Sequence, residues 1–116
     1  MGATTFYTQA EGKNADNAFK KTKDDAYYQH GHSGYTGTIA EKPSYVQFKV
    51  PDGMTPTQFI NAIENAANTV DSDEDEPKAD NPVVRRAAKL FNDKWGPAVC
   101  VEVKTGVFVF FGFASE

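Results

Sequence analysis

The sequence predicts one α+β domain, 1–116, with element order β-α-β-α-α-β-β. The expected build is an antiparallel or mixed four-stranded sheet with helices on one face. Three observations predict it. The length, 116 residues, is room for a single domain. The apolar set is skewed to strand formers: nine Phe, ten Val and five Tyr against one Leu, Leu90. Two mid-chain helix starts, Thr55-Pro56 and Asn81-Pro82, are flanked by alternating segments.

Taken in order, 3–10 alternates loosely around Phe6 and reads as a strand ended by Gly12. Asn14 is placed to cap a helix, with Asp16 in its first turn, where a negative charge suits the helix dipole. Ala15, Ala18, Phe19, Thr22 and Ala26 share one face of that helix. Gly31 closes it, and the pattern then breaks into a loop that runs to Pro43. Over 44–50, Val46, Phe48 and Val50 alternate with Tyr45, Gln47 and Lys49, the signature of a half-buried strand.

Pro51-Asp52-Gly53 is a turn. In the next helix Thr55 caps, Pro56 takes the first helical position, and Gln58 can close a capping box. Phe59, Ile63, Ala66, Ala67 and Val70 form its apolar stripe. Asn81-Pro82 opens a third helix with Val84, Ala87, Ala88, Phe91 and Trp95 on one face, ended at Gly96-Pro97. A strand at 98–104 points Val99, Val101 and Val103 one way and Cys100 the other. After the turn Lys104-Thr105-Gly106, residues 107–113 are apolar on both faces until Gly112 relieves one. Such a strand lies centrally in a sheet or lends a face to a partner, a route to a homo-oligomer through the C-terminal strand.

Charge is local. The formal net charge is −4, yet 71–80 (DSDEDEPKAD) holds six acids and one Lys, leaving +1 for the other 106 residues. That run reads as an acidic loop between helices, or as an acidic patch for a basic partner surface. It opens like a calcium loop, but Glu76 stands where the sixth-position glycine belongs and Pro82 where the closing glutamate belongs. The two arginines, Arg85 and Arg86, make no nucleic-acid footprint. A single cysteine, Cys100, excludes an internal disulfide and favours a reducing cytoplasm. No signal-peptide pattern is visible at the start, and no apolar run approaches the ~18 residues of a membrane span.

The most unusual stretch is His30-Gly31-His32-Ser33-Gly34-Tyr35-Thr36-Gly37-Thr38. Its glycines leave backbone amides uncovered, and hydroxyls both donate and accept. The candidate ligand- or partner-binding residues are His30, His32, Ser33, Tyr35, Thr36 and Thr38, with Lys42 adding a positive charge a phosphate would use. It is not a Walker loop, because it follows a helix and lacks Gly-Lys-Ser/Thr. Ser33 lacks the closing glycine of a nucleophile elbow. The His30/His32 pair would need a carboxylate such as Asp24, Asp25 or Glu41 to hold a metal, so no metal, cofactor or catalytic residue is expected.

Three stretches, His30–Lys42 (HGHSGYTGTIAEK), Asp93–Ala98 (DKWGPA) and Val109–Ser115 (VFFGFAS), with the opening Met-Gly-Ala-Thr-Thr-Phe, carry a resemblance. Together they resemble a family of small proteins of unknown function encoded by tailed bacteriophages. The resemblance implies a phage accessory protein in the cytoplasm of the infected bacterial host. It implies no catalytic residue. Two functions are expected from these readings. The first is a non-enzymatic protein that binds and modulates a bacterial host protein, with an anti-defence factor as one form of it. The second is a nucleotide or small-anion binder using the loop 30–42. A metal-assisted hydrolase on His30 and His32 is a further alternative.

Overall fold

The computed structural model of the protein describes residues 3–30, 39, 42–69, 79–93 and 96–115. Among these, seven elements follow the predicted order: β1 (Ala3–Glu11), α1 (Ala15–His30), β2 (Tyr45–Gln47), α2 (Pro56–Ala67), α3 (Pro82–Phe91), β3 (Ala98–Lys104) and β4 (Val107–Ser115). The strands form one mixed sheet in the order β1-β4-β3-β2. β4 is antiparallel to both neighbours, and β2 runs parallel to β3. A parallel neighbour needs a long crossover, and α2 with α3 supplies it.

The helix starts are local chemistry. The Thr55 hydroxyl accepts from the Gln58 amide at 3.1 Å, and the Gln58 side chain accepts from the Thr55 amide at 2.9 Å, which completes the capping box. Asn81 accepts from the amides of Val83 and Val84. Asn14 caps α1 by accepting from the Asn17 amide at 2.9 Å. Each helix also buries the predicted stripe: Ala15, Ala18, Thr22 and Ala26 on α1, Phe59, Ile63, Ala66 and Ala67 on α2, and Val84, Ala87, Ala88 and Phe91 on α3. Val70 and Trp95 lie outside the described residues. α3 itself ends at Phe91, where Asn92 takes the C-cap, four residues before Trp95.

The layering differs from the expected one. α2 and α3 pack on the face carrying Val99, Val101, Val109 and Phe111. α1 packs on the opposite face, against Ala98, Cys100, Phe108 and Phe110. Helices thus cover both faces, and the fold has three layers. The cause is β4: Val107 to Phe111 are all at most 4% exposed, so neither face can be left in water. Phe110 contacts Phe19 and Tyr45, with ring centroids 5.4 and 5.5 Å away.

Two further corrections concern strands. β2 is three residues, shorter than the 44–50 expected, although the Phe48 amide still donates to the Cys100 carbonyl at 2.9 Å. Val46 remains 41% exposed, while Phe48 and Val50 reach the α2/α3 cluster. β4 is interior, flanked by β1 and β3 and covered on both sides, so it offers neither edge nor face for the homo-oligomer expected through the C-terminal strand.

Candidate functional site

The candidate residues cluster in the segment that follows α1. His30 is the last residue of α1; its side chain, with His32, Ser33, Tyr35, Thr36 and Thr38, lies outside the described residues. The acidic run is likewise outside them, except Ala79 and Asp80, whose carbonyls accept from Arg85. What the structure defines is the root of the 30–42 loop. Ile39 is 2% exposed and sits in the α1-side core beside Ala98 and Phe110. The Lys42 amide donates to the Ile39 carbonyl at 3.0 Å, closing a turn.

Lys42 is the unexpected member. The sequence reading placed its charge where a ligand would meet it, yet the residue is fully buried. Its ammonium donates to the Asp93 carbonyl at 3.0 Å and stands 5.9 Å from the centre of the Phe6 ring. Its own carbonyl accepts from the Lys23 ammonium on α1 at 2.5 Å. Burial lowers the Lys42 ammonium to about 8, against the opposing pull of the Asp93 charge. A buried charge held by a carbonyl, an aromatic face and a nearby carboxylate is an anchor for the chain that carries it.

The residues meeting at this anchor come from every stretch singled out in the sequence. Lys42 ends the first. Asp93 opens the second and shapes it, because its carboxylate accepts from the Gly96 amide at 3.0 Å. Gly112, in the third, pairs with Phe6 of the opening segment across β1 and β4. Gly112 has φ +144°, and a side chain there would meet the Phe91 carbonyl at 3.4 Å and the Phe6 ring at 3.9 Å. Four separated motifs therefore converge on one corner, at the residue that ends the 30–42 stretch.

Sequence reasoning did not anticipate Lys23, Asp93 or Phe6 as partners of Lys42. The one available signal was that Asp93 opens a motif with no assigned chemistry. Tyr45, on the same face, donates its hydroxyl to the Asp16 carboxylate and so ties β2 to the first turn of α1. Among the described residues, no three His, Cys, Asp or Glu side chains group as a metal set, and no helix is long and apolar enough to cross a membrane. Comparison with protein-family models, curated proteins and solved structures finds no match to this chain.

Proposed function

We propose that this is a small accessory binding protein, of the tailed-phage type its motifs resemble, that engages a bacterial host protein through the loop 30–42. The observation that carries the reading is the convergence of all four motif stretches on the loop's root. Ile39 and Lys42, both buried, fix the C-terminal side of the 30–42 stretch. A loop rooted in a rigid scaffold is the usual way a small domain presents contacts. The fate of Lys42 also favours a protein partner over a nucleotide or phosphate. Its ammonium is engaged inside the fold, so the loop loses the fixed positive charge that the anion reading relied on.

The test has two arms. Affinity capture from bacterial lysate, compared between the wild type and the triple variant Ser33→Ala, Tyr35→Ala, Thr36→Ala, should show one host protein lost with the variant. Thermal-shift screening against nucleotides and inorganic phosphate should show no stabilisation. A saturable shift with a nucleotide, abolished by the triple variant, would replace the host-protein reading with the small-ligand one.

A further inference from the structure

We infer that the outer edge of β1 pairs antiparallel with β1 of a second copy of this chain, joining two four-stranded sheets across a two-fold axis. The inference is independent of the host-protein reading and rests on backbone direction. On β3, the Ala98 amide bonds to Ser44 and the Cys100 carbonyl accepts from Phe48, so the even residues of β3 face β2. Its odd residues therefore face β4, and the register Val99↔Phe111 and Val101↔Val109 turns the odd residues of β4 toward β3. The even residues of β4 then face β1, where the register pairs even with even: Thr4↔Ala114, Phe6↔Gly112, Thr8↔Phe110, Ala10↔Phe108. The Gly12 amide bonded to the Gly106 carbonyl at 3.0 Å continues the same series.

The odd residues of β1, Ala3, Thr5, Tyr7, Gln9 and Glu11, consequently aim their N–H and C=O groups away from the sheet. At Glu11 the outward carbonyl accepts from the Lys21 ammonium at 3.2 Å, which closes that end of the edge. Among the described residues no group answers Thr5, Tyr7 or Gln9. Their side chains are also exposed, Tyr7 by 57%.

An open edge is a template for pairing unless something blunts it. The other edge is blunted by length, since β2 has three residues. β1 has nine, with a register uninterrupted by any bulge, and its span 3–9 contains neither proline nor charge. The same span is self-complementary. A two-fold axis at Phe6 sets Ala3 against Gln9, Thr4 against Thr8 and Thr5 against Tyr7 of the second copy, with Phe6 against itself. Every outward residue of 3–9 then finds an outward partner, no like charges meet, and the aromatic and threonine pairs are favourable cross-strand neighbours. A second copy fits better than an unrelated strand because only the former fixes this register from both sides.

Tyr7→Pro is the discriminating variant, because it removes an outward N–H and leaves the bonds to β4 untouched. Light scattering after gel filtration across a dilution series should give twice 12.7 kDa for the wild type at high concentration and 12.7 kDa for the variant. If Tyr7→Pro does not fold, Thr5→Lys with Tyr7→Lys serves instead, since it sets like charges opposite each other in the pair. Amide exchange at Thr5, Tyr7 and Gln9 should slow with concentration in the wild type. A wild type that stays at 12.7 kDa throughout, or a folded edge variant that stays at twice that mass, overturns the inference.

Discussion

Lys42→Met removes one titration from the folding equilibrium, and the structure fixes what should follow. The Lys42 ammonium sits at about 8 in the fold against an ordinary 10.5. Between those values the unfolded chain holds the proton and the folded chain does not. More protons on the unfolded chain means stability rises with pH. The burial penalty is present in full below pH 8 and relieved by pH 10.5. One proton's difference is worth about 1.4 kcal/mol per pH unit, so the wild type should gain about 1.3 kcal/mol relative to Lys42→Met between pH 7 and 9. Two other groups work the other way. Burial pushes the Cys100 thiol up to about 12, and burial with the Asp16 hydrogen bond pushes the Tyr45 hydroxyl up to about 12. Both release protons earlier in the unfolded chain, which lowers stability above pH 9 to 10. From these three groups, wild-type stability should crest near pH 9.5, about 1 kcal/mol above its value at pH 7. Lys42→Met should show no rise. Urea unfolding followed by far-UV circular dichroism at half-unit pH steps reads both curves. Parallel curves for the two proteins from pH 7 to 9 would mean that the ammonium is solvated, and the Lys42 anchor would have to be abandoned.

Phe110→Ala should cost about 3–5 kcal/mol, because the ring is fully buried between α1 and β2, and should leave association unchanged; denaturant midpoints and light scattering check the two halves. Gly112→Ala should cost about 1–3 kcal/mol in the same unfolding assay, through its φ of +144°. Thr55→Ala should cost about 1 kcal/mol by breaking the capping box of α2, and a variant as stable as the wild type would show that the cap contributes nothing.

What was legible in the sequence was what neighbouring residues decide. Thr55-Pro56 and Asn81-Pro82 begin helices because caps and proline act within one turn. The alanine-rich face of α1 read correctly as buried, yet alanine does not say which side of a sheet it meets. The two-sided apolar character of β4 was visible, and it implies two covering layers once β4 is known to be central. The strand order was out of reach, since Ala3 pairs with Ser115 and no local pattern spans that separation. Lys42 misled for a chemical reason. Lysine in a polar loop is ordinarily solvated, and here the Asp93 carbonyl and the Phe6 ring receive its buried ammonium.

The place of β4 between β1 and β3 also sets a timetable for folding. Five elements separate β1 from β4, its neighbour in the sheet among the described residues. Until the two meet, a threonine-rich strand, uncharged over 3–9, has both edges open, and the span to be closed holds every other element. β3 and β4, joined by a two-residue turn, can zip at once, whereas docking β1 must meet the larger closure entropy. Pulse-labelled amide exchange should therefore show Val99 and Val101 protected before Thr4 and Thr8. Nascent or truncated chains that lack β4 leave β1 without its sheet neighbour, and its open edges are then an aggregation risk.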